Sequence, residues 1–165
     1  MSTVLEKAQT FEDYLVMPDA ELGERIEAAR EELGKRVALA ERHNARAYVS
    51  IHANKDNCYC WGAQTFYQKN GGHPEGKALA LAIQEQLRRN TPTTRVALAA
   101  NYFVLRTNVA PAAMVEVGFL TNAKEHARLQ DPEYQRTLAR AVALGIADFF
   151  RSQVPDARAE GSIGQ

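Results

Sequence analysis

Tyr48-Val49-Ser50-Ile51-His52-Ala53-Asn54 crowds Tyr48, Val49 and Ile51 into a run of strand length and ends it on a histidine and an asparagine. About sixty residues later, Met114-Val115-Glu116-Val117-Gly118-Phe119 repeats the pattern with a glutamate in its middle. A buried-type strand carrying one histidine and another carrying one glutamate can bring a metal ligand and a general acid/base together at one end of a sheet. Neither residue suits a purely apolar core, since a buried carboxylate must be paired or protonated.

Outward from these runs, helical and extended patterns alternate. Leu22, Ile26, Ala29, Leu33, Val37 and Ala40 recur at steps of three and four, which predicts a helix with Asp19 as its N-cap and His43-Asn44 at its end. Strands are expected over Ala47–His52, Gly62–Tyr67, Tyr102–Leu105 and Ala113–Gly118, and a polar loop over residues 54–57. Glu75–Arg89 reads as a helix with Leu79, Ile83 and Leu87 on one face. Asn122 is placed to cap a short helix over Ala123–Leu129. Pro132 suits the first turn of a last helix with the stripe Leu138, Val142, Ile146 and Phe149. Residues 1–18 are poorly patterned, with a short apolar cluster Tyr14–Met17 before Pro18, and residues 153–165 read as a loose tail, leaving 19–152 as the folded domain. The alternation argues an α/β three-layer sandwich with a mostly parallel sheet, whose sites gather at the carboxyl ends of the strands.

The 165 residues are 45% hydrophobic and 24% charged with no net charge, the composition of one ordinary globular domain. No basic face interleaved with aromatics points to nucleic acid. No apolar run approaches the roughly 18 residues a membrane span needs, and no signal peptide is visible near Met1. Cys58 and Cys60 are too close for an ordinary disulfide and lack a second pair for a zinc site, so they read as loop cysteines.

On residue type alone, His52 is either a zinc ligand or a hydrogen-bonded structural histidine, and Asn54 orients a substrate carbonyl or simply makes a turn. Glu116 should share a strand face with Met114 and Gly118, opposite Val115 and Val117. Burial there would raise its pKa toward the range useful for proton transfer; the alternative is an ion pair with Arg106 or Lys124. Arg106, Asn108 and Asn122 sit where the chain leaves strands and can face one cleft. His43, His73 and His126 have no partner at metal spacing and read as surface residues.

Taken together, Ser50-Ile51-His52-Ala53-Asn54, Gly62-Ala63-Gln64-Thr65-Phe66-Tyr67, Val104-Leu105-Arg106, Pro111 and Glu116-Val117-Gly118-Phe119-Leu120-Thr121-Asn122 resemble the zinc-dependent N-acetylmuramoyl-L-alanine amidases of the amidase-3 family. The resemblance covers roughly residues 28–150, and Gln86-Leu87-Arg88-Arg89-Asn90 looks like the spore-cortex, germination-specific members. It implies an α/β domain around a mostly parallel six-stranded sheet. It also implies cleavage of the amide between N-acetylmuramic acid and the L-alanine of the stem peptide, outside the cytoplasmic membrane. By the same resemblance His52 is a zinc ligand and Glu116 is the catalytic glutamate; Asn54 and Arg106 are expected to be substrate-binding residues. Zinc-bound water would attack the lactyl carbonyl while Glu116 moves the proton.

One departure stands out. The family's Asp-x-Gly-His-Gly motif and the glutamate of the following helix, which supply the other two ligands, are not found before His52. The expectation is therefore a chain truncated at its N-terminus, lacking the first strand and helix of the family fold and holding one zinc ligand of three. Loss of that strand should leave a sheet edge and an apolar face uncovered. A non-catalytic, muramyl-peptide-binding relative is the alternative.

Overall fold

The computed structural model describes residues 19–154, with side chains from residue 27 onward. The segment 1–18, with its Tyr14–Met17 cluster, and the tail beyond 154 lie outside the described residues. The chain divides into two units, Met1–Ala45 and Arg46–Gln165.

The described part of the first unit is helix α1 (Asp19–Arg42). The described helix runs from Asp19, and the expected cap there, with Leu22 and Ile26 of the stripe, involves side chains outside the described residues. Ala29, Leu33, Val37 and Ala40 form its less exposed stripe. Glu31–Lys35 and Glu32–Arg36 pair along the solvent side. The end is a Schellman motif. Asn44 takes the left-handed conformation (φ 47°), its N–H donates to Glu41 O, and Ala45 N–H donates to Ala40 O.

The second unit runs β1 (Tyr48–Asn54), β2 (Gln64–Gln68), α2 (Gly76–Asn90), β3 (Leu98–Ala100), α3 (Phe103–Arg106), β4 (Ala112–Phe119), α4 (Ala123–Gln130) and α5 (Pro132–Ser152). The strands form one open sheet in the order β1-β4-β2-β3. β1 pairs with β4, and β2 with β3, in parallel; β2 and β4 are antiparallel. The fold is thus α/β with a mostly parallel sheet. The antiparallel step has a simple cause. No helix separates β1 from β2, so the chain turns back through the loop 55–63 and starts β2 at the rim where β1 and β4 end. Four strands are present among the described residues, against the six that the family resemblance implied.

One sheet face is packed by α2 and α5. Ala113 and Val115 of β4 meet Leu79, Ile83 and Leu87 of α2 and Leu138, Val142 and Phe149 of α5, with Ile146 against this cluster. These are the stripes read from the sequence. The two helices touch most closely at Gly145, where a Cβ would lie 2.4 Å from Ile83 Cα. Gln84 joins the same face of α2 without being apolar. Its Oε1 accepts the Thr65 N–H (2.6 Å) and its Nε2 donates to Ala63 O and Arg95 O, closing the backbone where β3 has not yet begun.

One expectation fails. Tyr102–Leu105 is not a strand: Phe103–Arg106 is a single helical turn, and the strand lies earlier, at Leu98–Ala100. A run of four apolar residues is too short to show its period. Here Val104 and Leu105 are buried while Arg106 is exposed, and Thr107 Oγ1 donates to Phe103 O to close the turn. Leu98-Ala99-Ala100 carries no β-branched signature, and its extended form comes from pairing with the open edge of β2. At the other edge, β1 is paired on one side only among the described residues. Ile51 is 56% exposed beside an apolar cleft of about 380 Å³ shared with Val117, Leu120 and Leu129.

Gly145→Ala should drive a methyl group into the Ile83 backbone, which cannot yield as a side chain would. We expect a loss of about 2–3 kcal/mol in denaturant-unfolding stability, against little change for the unencumbered Gly34→Ala.

Candidate active site

β4 lies between β1 and β2, and the register sets three side chains in one row. His52 is opposite Glu116, and Glu116 is opposite Gln64. Paired residues project to the same face, with strands about 4.8 Å apart. The row below is Ser50, Met114 and Phe66. Val115 points the other way into the core, as the alternation required. The ladder then slips. Asn54 pairs with Phe119 rather than with Gly118, so β4 bulges at Val117-Gly118 and Phe119 stays on the Glu116 face. Gly118 has no room for a side chain, because a Cβ there would lie 2.8 Å from Glu125 Oε2.

Glu116 is 8% exposed, and its Oε2 is buried without a hydrogen-bond partner. It makes no ion pair with Arg106 or Lys124. Burial holds its carboxyl above the usual carboxylate range, as its place on the strand suggested. The Tyr102 phenol, also pushed up, feels burial first and then the Glu116 charge. Its ring meets Phe66 edge-on at 5.7 Å, over the same face. Tyr102 carries no sequence signal for this role, since it precedes a helix that the pattern did not reveal.

His52 sits fifth in a strand of seven residues, half-buried, with Nε2 2.5 Å from Ser50 Oγ. Asn54 is the last strand residue rather than the start of a loop, and its carbonyl accepts the Leu120 N–H (2.8 Å). His52, Asn54 and Glu116 therefore converge at one rim. Arg106 ends α3 exposed, and its Nη1 donates to Asn101 Oδ1 (3.0 Å). Asn108 is buried and turns inward onto the Ala110 N–H. His43 and His126 are exposed, and His73 is half-buried near Glu75. Cys58 and Cys60 are free thiols.

The rim beyond the row is tied together by two side chains. Asn122 Oδ1 caps α4 through Lys124 N–H and Glu125 N–H, while its Nδ2 donates to Cys58 O and Cys60 O. Glu125, 3% exposed, accepts the Gly62 and Phe119 N–H groups on Oε2. Arg95 completes the join. Its Nη1 donates to Gln64 Oε1 (2.8 Å), its Nε to Trp61 O (2.6 Å), and its guanidinium lies over the Phe119 ring.

A paired histidine and glutamate at the carboxyl ends of two parallel strands is the arrangement foreseen from the two sequence runs. The profile of the N-acetylmuramoyl-L-alanine amidase family matches residues 4–148. The chain belongs to this family. The match starts earlier than the resemblance recognised from about residue 28. The germination-specific N-acetylmuramoyl-L-alanine amidase of Bacillus subtilis (strain 168) is 41% identical over 123 residues, covering 73% of this chain and 51% of that protein. The CwlD amidase from Clostridioides difficile, solved in complex with the GerS lipoprotein, superposes with a TM-score of 0.71 at 29% identity, over 88% of this chain and 71% of that one. The catalytic domain of CwlV, an N-acetylmuramoyl-L-alanine amidase from Bacillus (Paenibacillus) polymyxa var. colistinus, gives 0.67 at 36% identity, over 72% of this chain and 65% of that one. The chain spans about half the length of the Bacillus subtilis relative.

Because burial raises the Glu116 pKa above its unfolded value, the protonated form favours the folded state. Its stabilisation is full below the unfolded value of about 4.3 and fades as pH rises through the folded value. In metal-free protein, Glu116→Gln should therefore melt above the parent at pH 7, and the gap should close on acidification to about pH 4. A gap that widens toward acid would overturn the assignment of burial as the cause.

Proposed function

We propose that this chain carries the catalytic face of a peptidoglycan hydrolase that cuts the amide between N-acetylmuramic acid and L-alanine of the stem peptide. The observation that supports this most is the register of His52 against Glu116, with an unpartnered carboxylate oxygen buried beside the imidazole. In this reading Glu116 takes the proton of the water that attacks the lactyl carbonyl and returns it to the departing alanine nitrogen. A carboxyl group with a raised pKa suits both transfers. Asn54, one ladder step nearer the rim, and Arg106, on the turn that follows Tyr102, are the proposed substrate contacts. A peptidoglycan substrate puts the site of action outside the cytoplasmic membrane, and the relatives include a germination-specific amidase and a protein described as a probable cell wall amidase. No helix among the described residues is long and apolar enough to cross a membrane.

Zinc is the metal this family chemistry implies, and His52 is the proposed ligand. Among the described residues no group of three His, Cys, Asp or Glu side chains converges. One imidazole does not grip zinc tightly, so the described donors alone do not fit a zinc cage. That shortfall favours a second reading, a muramyl-peptide-binding relative without turnover.

Release of stem peptide from purified muramyl peptides distinguishes the readings. Glu116→Gln should lower turnover by about 10²–10⁴-fold with substrate binding retained. Equal turnover in parent and variant removes Glu116 from the chemistry, and binding without turnover in the parent selects the second reading. Elemental analysis after dialysis checks the metal. We expect less than one equivalent of zinc in the chain and none in His52→Ala; undiminished zinc in His52→Ala would refute its role as ligand.

A further inference from the structure

An open cleft of about 660 Å³ lies at the same rim, beyond the Glu116 row, and no step of the proposed reaction uses it. Its walls include Tyr59, Trp61, Pro92, Asn122, Lys124 and Arg128. Its size falls in the range of small-molecule sites. Three features need explaining. Tyr59 is 85% exposed and Trp61 42%, a large apolar area to leave in water. Yet the loop presenting them is fixed: Asn57 holds Tyr59 N–H and Cys60 N–H, Asn122 holds two carbonyls, Arg95 holds Trp61 O, and Glu125 holds Gly62 N–H. Exposed rings on so well-anchored a backbone are preorganised, which lowers the cost of binding. Third, Lys124 stands at the second residue of α4, where the helix dipole disfavours a cation, and it makes no ion pair among the described residues. Arg128 is only loosely matched, 3.7 Å from the buried Glu125.

From this juxtaposition we propose that the cleft is a subsite for an amino sugar carrying an anionic peptide arm, with the sugar face on Tyr59 and Trp61 and a peptide carboxylate at Lys124. The proposal rests on the amidase reading for its substrate class, and it names a site separate from the His52–Glu116 pair. Aromatic rings offer flat apolar faces to the C–H faces of a pyranose, and their polar edges tolerate its hydroxyls. The unmatched ammonium supplies the complement for a carboxylate. Arg95 links the cleft to the reaction row, since it holds both Trp61 O and the Glu116 neighbour Gln64. A ligand seated here would therefore extend along the rim from the scissile amide. A concave wall suits a saccharide chain better than the flatter surface of a protein partner.

Trp61 is the only tryptophan in the chain, so its emission reports on this cleft directly. The probes are an N-acetylglucosaminyl-N-acetylmuramyl peptide, the same disaccharide without peptide, and the free stem peptide, titrated into full-length Glu116→Gln so that nothing is consumed. The disaccharide peptide should shift the emission saturably. Lys124→Ala in the same background should raise its Kd about tenfold and leave the weaker disaccharide binding unchanged. Tyr59→Ala should weaken both. The thermal midpoint of Lys124→Ala should not fall, since the dipole gains by its removal. An emission that stays flat with the disaccharide peptide, or a Kd that neither substitution moves, overturns the proposal, as does a cleft that answers only to a protein partner. The two readings fail separately. Turnover by the parent without a Trp61 response removes the subsite and keeps the amidase; a Trp61 response without turnover does the reverse.

Discussion

The pairing of β4 on both sides is the constraint on which the rest of the second unit depends. A strand with ladders to β1 and β2 cannot slide, and one residue of slip would turn Glu116 into the core and Val115 out of it. The core holds that register from behind, because Ala113 and Val115 must meet the stripes of α2 and α5. The row of His52, Glu116 and Gln64 is thus positioned by hydrophobic packing on the opposite face.

The rim is built differently. There the backbone leaves regular structure, and its polar groups need other partners. Asn122 and Glu125, three residues apart at the start of α4, satisfy groups from a loop that lies about sixty residues earlier in the chain. Glu125 is as buried as Glu116, but it accepts two backbone N–H groups, whereas Glu116 has an oxygen with no partner. Of the two carboxylates, Glu125 has its Oε2 committed to backbone N–H groups and Glu116 keeps its Oε2 unpartnered.

Sequence reasoning reached what depends on period and local signals: the helices, the stripes of α2 and α5, the capping Asn122, the Pro132 start and the strands β1, β2 and β4. It also placed His52 and Glu116 on the same rim, because a strand's ends and faces follow from alternation. It missed what depends on pairing. Leu98-Ala99-Ala100 pairs with the edge that β2 offers, and Phe103–Arg106 forms a helical turn that buries Val104 and Leu105. The work of Gln84, Gln64 and Arg95 was equally invisible, since each serves groups brought close by the antiparallel return of β2. The one local hint was a glutamate three residues after a capping asparagine, which suggests a capping box but here reaches across to Gly62 and Phe119 instead.

The electrostatics of the row follow from where the cations do not go. A guanidinium against Glu116 would stabilise its charged form and lower its pKa, leaving a weak base and a reluctant acid. Arg95 is the cation nearest in the network, and it is drawn aside. Gln64 offers it a neutral carbonyl oxygen, Trp61 another, and Phe119 a ring face. Gln64 then turns its own amide nitrogen to Val96 O and away from the carboxylate. A neutral residue, Gln64, thus stands between the Arg95 guanidinium and the Glu116 carboxyl group. Met114 and the Tyr102–Phe66 pair add apolar surface on that face, so burial sets the Glu116 pKa with no ion pair to oppose it. Arg95 thus takes part in anchoring Trp61 and Gln64, while Glu116 has no ion pair among the described residues.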